Sequence, residues 1–480
     1  MSIRTEVRSG VLYTFIFKYM GIAAQIITTS VLARLLSPDE FGIVVAVLVF
    51  VTFFQLISDS GIAASIIQRK ELTSQEIFSL FIISIILSIV LAVLFICAGP
   101  LIANFYNNKE YIKISALLSI TLFFYTAHIV PWATMYRDQR FKAIGYIQLI
   151  VQILGTVFAI ILALKGFSYY SLVYQSILQA VSKFFIVIFL VPISKTKEIK
   201  FGVIKKIFNY SFFKFLNDMV QFFSKNLANL LIGKYLGLNQ LGYYDKAFKL
   251  MLLPVGSLAD VVSHVLHSVL SRRQNDPEVI YNFIKKLTKF MAIIGIPLSV
   301  VLFFSAEEII RILFGDQWFN SIPPFKYLAL SVCIQMILSG SESIFLSLGR
   351  SNHLFVSGLL SFLTLTLAIL SGIFILKNLT GTAFLILMAF LLNFFQVYFI
   401  LIVRVMRKNI FDFMWQLKTG LVIGFVVLII NLLIVNLFHF NNIFLSLLVK
   451  AGVSSVSFLL MLIVLKELKE FFEILKPARE

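Results

Sequence analysis

Long apolar segments recur along the whole chain and constrain its fold more than any other feature. Fourteen of them approach or exceed the roughly 20 residues that a helix needs to cross a bilayer. Only 13% of the residues are charged and 60% are hydrophobic, whereas soluble domains are about 25% charged. The sequence therefore predicts an all-α, polytopic membrane protein of about fourteen transmembrane helices. The segments are Val11–Leu35, Phe41–Ile67, Ile77–Gly99, Ile114–Thr134, Ala143–Leu164, Tyr170–Val191, Ser211–Leu236, Tyr244–Leu270, Leu287–Ser305, Tyr327–Leu348, Leu354–Leu376, Thr382–Val403, Leu417–Leu437 and Ile443–Leu465.

The positive charges lie mainly on one side of these segments. With the N-terminus placed in the cytoplasm, 26 of the 41 Lys and Arg residues fall in cytoplasmic connections and eight fall outside. Cytoplasmic loops of membrane proteins carry this excess of Lys and Arg. The sequence thus predicts a bacterial inner-membrane protein with both termini in the cytoplasm. The net charge of +18 is explained by this topology, so we do not expect nucleic-acid binding.

An internal repeat relates the two halves of the chain. Val31-Leu-Ala-Arg-Leu-Leu-Ser-Pro-Asp-Glu-Phe-Gly42 matches Leu231-Ile-Gly-Lys-Tyr-Leu-Gly-Leu-Asn-Gln-Leu-Gly242 at a constant offset of 200. Each copy lies between the first and second helix of a six-helix set. We therefore expect two related bundles, residues 1–194 and 195–410, followed by helices thirteen and fourteen and a cytoplasmic tail in residues 411–480. Repeated bundles of this kind are typical of transporters.

Polar residues inside the apolar segments are the candidates for a substrate site. Polar side chains in a membrane span usually face a cavity or a partner. Lysines outnumber acids in this set, and Lys binds phosphate as a point charge, so the composition favours an anionic substrate. Lys225 lies near the middle of its segment, whereas Lys214 and Lys249 lie near segment ends, where snorkelling to the headgroups is an alternative. The predicted substrate-binding residues are Lys18, Gln25, Lys183, Lys214, Gln221, Lys225, Asn229 and Lys249.

Four intramembrane acids are the candidates for coupling to H⁺ or Na⁺: Asp59, Asp218, Asp260 and Glu342. Two simpler roles stay open at this stage. Asp59 and Asp260 come late in their helices and can lie at the cytoplasmic rim. Asp218 can pair with Lys214 one helical turn away.

Signals for catalysis are missing from the sequence. It contains no Gly-rich phosphate loop, no His-Glu-x-x-His and no nucleophile elbow. Cys97 and Cys333 are isolated in apolar segments, which indicates neither a disulfide framework nor a thiolate metal site. We therefore expect no enzyme activity, no cofactor and no metal.

Two segments resemble a known family. Thr29-Ser-Val-Leu-Ala-Arg-Leu-Leu-Ser-Pro-Asp-Glu-Phe-Gly42 with Gly61-Ile-Ala-Ala-Ser-Ile-Ile-Gln-Arg-Lys-Glu-Leu72 is similar to the opening of polysaccharide-type lipid flippases. Asn229-Leu-Leu-Ile-Gly-Lys-Tyr-Leu-Gly-Leu-Asn-Gln-Leu-Gly-Tyr-Tyr244 is similar to the start of their second half. The resemblance is to the Wzx-like branch of the multidrug/oligosaccharidyl-lipid/polysaccharide (MOP) exporter superfamily.

The resemblance implies a fold and a function. Two bundles would form a V around a central cationic cavity. The protein would move an undecaprenyl-diphosphate-linked oligosaccharide from the cytoplasmic to the outer leaflet by alternating access driven by an ion gradient. Its partners would be that lipid, the bilayer, and the polymerase and glycosyltransferases of the same pathway.

Two other functions compete with this interpretation. A drug or cation exporter of the same superfamily would need a mainly acidic or aromatic cavity, which the intramembrane lysines disfavour. A membrane-embedded glycan polymerase or acyltransferase would need a sizeable outer loop or a catalytic His/Asp pair, and the outer loops here are short.

Overall fold

The structure is a computed structural model that describes residues 3–59, 62–69, 71–191, 202–270 and 277–469. These residues form helices joined by short connections, and no strand occurs among them. The predicted all-α architecture is confirmed. The chain separates into two compact units, residues 1–242 and 243–480. The bundle boundaries predicted at 194 and 410 stay predictions.

The first unit contains nine helices within its described residues, and a tenth begins in it. They are α1 (Ile3–Leu35), α2 (Pro38–Asp59), α3 (Ile62–Gln68), α4 (Ser74–Tyr106), α5 (Glu110–Ala127), α6 (Ile129–Arg137), α7 (Phe141–Leu164), α8 (Tyr170–Leu190), α9 (Gly202–Tyr235) and α10 (Leu238–Leu270). The side chain of Met135 (α6) packs in one core with Ile144 and Val151 (α7) and Val187 (α8).

The second unit continues with nine further helices in the part of the chain that the structure describes. They are α11 (Pro277–Phe304), α12 (Ala306–Phe314), α13 (Ile322–Leu338), α14 (Ser341–Ser347), α15 (Ser351–Ser371), α16 (Leu379–Tyr398), α17 (Ile410–Met414), α18 (Lys418–Leu437) and α19 (Ile443–Val464). Short 3₁₀ segments follow α12 and α17, and π-helical segments follow α15 and α16.

Helices occupy all fourteen predicted positions within the described residues. Among the residues that the structure describes, twelve stretches are long and apolar enough to cross a membrane. The seventh and eighth predicted segments correspond to α9 and α10, whose 34 and 33 residues exceed the roughly 20 needed for a crossing. The chain is a multi-pass membrane protein, in agreement with the sequence.

One predicted segment is divided by a proline. Residues 114–134 were expected to form one helix, but α5 ends at Ala127 and α6 begins at Ile129. Pro131 lacks the N–H that would bond to the carbonyl of Ala127, and its ring crowds that carbonyl. His128 lies at the break, where its Nδ1 is 3.1 Å from the carbonyl oxygen of Phe124.

The first copy of the sequence repeat forms a capped helix start. Ser37 and Glu40 cap α2 reciprocally: the amide of Ser37 donates to Glu40 Oε2 (2.6 Å) and the amide of Glu40 donates to Ser37 Oγ (3.3 Å). A Cβ added at Gly42 would lie 1.9 Å from the carbonyl oxygen of Leu238. One added at Gly242 would lie 2.1 Å from that of Pro38. The first turns of α2 and α10 therefore touch through bare backbone.

In the second unit, α18 packs tightly on α11 through two glycines. A Cβ on Gly420 would lie 2.6 Å from the carbonyl of Ala292, and one on Gly424 would lie 2.6 Å from the side chain of Ile296. Small residues four apart allow such close approach of membrane helices. Asn431 of α18 then donates to Ser454 Oγ of α19 over 2.8 Å. Thus α18 contacts both α11 and α19 within the second unit.

Candidate functional site

A half-open, mainly apolar cavity of about 440 Å³ that also contains polar side chains lies between α1, α6 and α7 in the first unit. Lys18 and Gln25 of α1, both predicted substrate-binding residues, line it together because they lie seven residues apart on one helical face. Its other lining residues are Phe17, Gly21, Ile22, Tyr136, Phe141, Ile144, Gly145, Gln148, Leu149 and Gln152. The structure therefore places two predicted residues in one cavity and adds two glutamines from α7.

Two glycines shape this cavity in opposite ways. A Cβ on Gly145 would lie 2.2 Å from the ring of Phe17, so α7 and α1 are in close contact there. A Cβ on Gly21 would meet nothing within 4 Å. Gly21 therefore leaves bare helix backbone on an open part of the cavity wall, whereas Gly145 closes the contact between the helices.

The amide of Gln152 is held in a fixed orientation. Its Nε2 donates to Thr28 Oγ1 (3.4 Å), and its Oε1 accepts from Gln179 Nε2 (3.3 Å). The hydroxyls of Thr28 and Thr156 are 2.6 Å apart, and the absence of a Cβ at Gly155 leaves room for Gln179. Side chains from α1, α7 and α8 thus form one hydrogen-bonded row beside the cavity.

A charged cluster forms a second polar centre in the same unit. Tyr125 donates from its hydroxyl to Asp59 Oδ2 over 3.1 Å, and Asp59 interacts electrostatically with Lys183 of α8. The ammonium of Lys183 lies 4.0 Å from the ring centre of Trp132, a cation–π contact. The predicted ion-coupling residue Asp59 and the predicted substrate-binding residue Lys183 are therefore neighbours.

A row of aromatic rings links the charged cluster to the cavity. Neighbouring ring centres are 5.4 Å (Tyr125–His128), 6.1 Å (His128–Trp132), 5.8 Å (Trp132–Tyr136) and 6.3 Å (Tyr136–Phe141) apart. Trp132 and Tyr136 lie four residues apart on one face of α6, whereas Tyr125 belongs to α5, His128 lies at the break and Phe141 begins α7. We call these five residues the aromatic ladder. It starts beside Asp59 and ends at Tyr136 and Phe141 in the cavity wall.

The predicted polar face of α9 is present in part. Lys225 is exposed and donates to Gln221 Oε1 over 3.4 Å. The side-chain oxygen of Asn229 is buried without a hydrogen-bond partner. Asp218 is half-buried on the same helix. These residues do not line the cavity of α1, α6 and α7, so they form a separate group.

The remaining predicted residues are scattered. Lys249 is exposed and pairs with the buried Asp245 over 2.8 Å, one turn away on α10. Glu342 is exposed on the short helix α14. The side chains of Lys214 and Asp260 lie outside the part of the chain that the structure describes.

Sequence reasoning missed three buried charges in the second unit, Lys246, Lys450 and Glu308. Lys246 is 2% exposed, with its ammonium 5.5 Å from the ring centre of Trp318. Lys450 of α19 pairs with Glu308 of α12. Glu308 falls in the predicted outer connection between segments nine and ten, where a carboxylate is expected in water, and no sequence signal indicated its burial.

Side chains of the metal-ligating types are not clustered in the described residues. No group of three or more His, Cys, Asp or Glu side chains there could hold a metal ion. Cys97 and Cys333 are free thiols. The polar groups of the first unit are instead lysines, amides, hydroxyls and aromatic rings, which can bind phosphate and sugar hydroxyls.

Comparison with known proteins identifies the family. The profile described as "Polysaccharide biosynthesis protein" matches residues 31–323, more than half of the chain. The chain belongs to this polysaccharide biosynthesis family. The family match agrees with the polysaccharide-type resemblance seen in the sequence.

Two relatives agree with the assignment to the polysaccharide biosynthesis family. The chain is 23% identical over 361 residues to the teichuronic acid biosynthesis protein TuaB of Bacillus subtilis (strain 168), covering 74% of each chain. It is 26% identical over 347 residues to the lipopolysaccharide biosynthesis protein WzxC of Escherichia coli (strain K12), covering 69% of this chain and 68% of WzxC.

The fold is similar to that of a solved membrane protein. A structure of the lipid II flippase MurJ in an inward closed conformation covers 96% of this chain and 99% of its own, with a TM-score of 0.75 and 18% identity. At this identity the likeness concerns the fold alone. The family concerns polysaccharide biosynthesis, and the chain shares its fold with this structure.

Proposed function

We propose that this protein flips undecaprenyl-diphosphate-linked oligosaccharide repeat units from the cytoplasmic to the outer leaflet of the bacterial inner membrane. The observation that carries the proposal is a cavity lined by Lys18 and three glutamines inside a member of a polysaccharide biosynthesis family. Glutamine amides donate and accept hydrogen bonds as sugar hydroxyls do, and an ammonium attracts phosphate.

The lysines provide the anion-binding part of this proposal. Lys18 lines the cavity, and Lys183 lies at the charged cluster beside the aromatic ladder. Lys225 presents a further exposed ammonium on α9. Ammonium groups inside a bilayer are costly, so their presence favours a substrate that carries negative charge.

The coupling ion is proposed to act at the acids near these lysines. Asp59 is the best placed of the four predicted acids, since it touches Tyr125 and interacts with Lys183. An inward H⁺ or Na⁺ gradient would then drive alternating access. No enzyme chemistry is part of the proposal, and both termini would lie in the cytoplasm with the pathway's glycosyltransferases.

Mass spectrometry of polyprenyl-linked intermediates in a strain depleted of the protein tests the proposal. We expect the complete repeat unit on undecaprenyl diphosphate to accumulate, to stay on the cytoplasmic face and to disappear when the wild-type gene is restored. Normal lipid intermediates together with normal surface polysaccharide would contradict the proposal. Increased drug susceptibility in that case would favour the small-molecule exporter of the same superfamily.

A further inference from the structure

The cavity in the first unit differs from a simple anion site. One ammonium, Lys18, accompanies three amides, from Gln25, Gln148 and Gln152, and the rings of Phe17, Tyr136 and Phe141. The described lining includes no carboxylate. Lys18 provides one cation for a phosphate, and the amides interrupt the apolar surface that a polyprenyl chain would contact. Neither group explains a wall in which most of the polar residues are amides and several of the apolar ones are aromatic rings.

Sugar rings can form both kinds of contact that this wall offers, hydrogen bonds to amides and packing on aromatic rings. Each hydroxyl of a sugar donates and accepts a hydrogen bond, as do the two ends of a glutamine amide. The C–H groups on a pyranose face carry partial positive charge and pack on the negative face of an aromatic ring. Ligand sites commonly combine an apolar and aromatic lining with a few fixed polar groups.

The size and rigidity of the cavity support the same occupant. Its volume of about 440 Å³ lies in the lower half of the range of roughly 300–1,000 Å³ found for small-molecule sites. That volume suits one or two sugar rings rather than a whole repeat unit. Gln152 is already oriented by Thr28 and Gln179, so little side-chain freedom is lost on binding.

We propose that this cavity is a glycan subsite, in which Gln148 and Gln152 hydrogen-bond the hydroxyls of one or two sugar rings and Tyr136 stacks on a ring face. The subsite is formed by α1, α6 and α7 of the first unit alone. It rests on the proposed flippase function, which it extends by naming the residues that bind the sugar. Lys18 at the wall would favour a ring next to phosphate or an acidic sugar.

Gly21 offers a direct test, since its Cβ position faces open space. Gly21→Phe would introduce a ring at the cavity wall, at a position where a Cβ meets nothing within 4 Å. Gly358→Phe is the matched control, because Gly358 is also a helical glycine with nothing within 4 Å of a Cβ, and it is exposed on α15. Gln148→Leu is a second variant, which removes one amide and keeps the Gln152 hydrogen bonds.

The full-length protein in detergent is titrated with two probes. One is the lipid-free oligosaccharide obtained by partial acid hydrolysis of the strain's purified surface polysaccharide. The other is undecaprenyl phosphate, which carries no sugar. Tryptophan fluorescence reports binding, since Trp132 lies 5.8 Å, centre to centre, from Tyr136 in the cavity wall. Size-exclusion chromatography and circular dichroism confirm that each variant is folded.

We expect Gly21→Phe and Gln148→Leu to weaken oligosaccharide binding at least tenfold, and Gly358→Phe to leave it unchanged. Binding of undecaprenyl phosphate should be the same in all four proteins. The inference is overturned if the oligosaccharide binds Gly21→Phe as tightly as wild type, or does not bind wild type. The proposed function fails independently, through the lipid analysis of the depleted strain, because the oligosaccharide probe comes from wild-type cells.

Discussion

Lys450 and Glu308 form an ion pair whose two side chains are 9% and 8% exposed. Lys450 also donates to the carbonyl of Phe304 over 3.0 Å, and Ser446 donates to Glu308 Oε1 over 2.6 Å. The second carboxylate oxygen of Glu308 is buried without a hydrogen-bond partner. The pair joins α19, a transmembrane helix, to the short helix α12.

Breaking this pair should destabilise the protein strongly. Lys450→Met leaves the Glu308 carboxylate buried without its cation, and loss of one partner of a buried pair costs about 3–5 kcal/mol. Replacing both residues, as in Lys450→Met with Glu308→Leu, should recover most of the loss. The melting temperature in detergent measures both effects.

The control for this experiment is Glu307, which directly precedes Glu308 on α12. Glu307 pairs with Arg311 over 3.1 Å, but its side chain is 50% exposed. Exposed pairs contribute about 0–1 kcal/mol, so Glu307→Ala should shift the melting temperature little. Equal melting temperatures for Lys450→Met and Glu307→Ala would show that the buried pair has no special role in stability.

Gly42→Ala should disturb the contact between α2 and α10. The added methyl group would lie 1.9 Å from the carbonyl oxygen of Leu238, so the backbone must move. Overpacking of this kind costs about 1–3 kcal/mol. We expect a lower melting temperature and reduced export of surface polysaccharide. Gly358→Ala, in open space, should show neither change, and a wild-type melting temperature for Gly42→Ala would contradict the contact.

Lys183→Met should reduce export at least tenfold. The substitution keeps the length of the side chain but removes the charge that interacts with Asp59 and Trp132. Surface polysaccharide is measured in a strain that carries only the variant gene. Lys165→Met is the control, since Lys165 is exposed in the connection between α7 and α8. Normal export by a folded Lys183→Met protein would remove Lys183 from the proposed site.

Lys225→Ala tests the separate polar group on α9. If this exposed ammonium attracts the diphosphate, its loss should lower export and leave the melting temperature unchanged, because the hydrogen bond from Lys225 to Gln221 is long, at 3.4 Å. Lys109→Ala, in the connection between α4 and α5, provides the comparison. Export at the wild-type level would show that the α9 face is not used by the substrate.

The predicted orientation can be tested with single cysteines. In a variant with Cys97 and Cys333 replaced by serine, Lys165→Cys should react with a membrane-impermeant maleimide added to whole cells with a permeabilised outer envelope. Arg350→Cys, in the connection between α14 and α15, should react only after the inner membrane is lysed. The opposite pattern would place the termini outside the cytoplasm.

The fold was largely predictable from the sequence. A chain that crosses a bilayer must pair its backbone polar groups internally, as a helix does, and each such helix needs a long apolar segment, which the sequence displays. The break at His128 was less visible, although Pro131 provides its cause. The hydrophobic pattern shows where a helix runs but not which helix it meets.

The candidate site was predictable only in part, because the sequence does not show which helices contact each other. Lys18 and Gln25 share a cavity because they lie on one face of one helix, a relation that sequence spacing contains. Asp59 and Lys183 are 124 positions apart and lie on two different helices. Their interaction depends on how these helices pack, which sequence spacing does not contain. Lys249 was assigned to the substrate, whereas the structure pairs it with Asp245 on its own helix.

The contact at Gly42 and Gly242 has the reciprocity of a two-fold axis. Gly42 meets residue 238, and Gly242 meets residue 38, its counterpart in the other copy of the repeat. Such an isologous contact is what two identical subunits make when they form a dimer. At this point the two copies of the repeat therefore contact each other in the reciprocal way that two copies of one chain would.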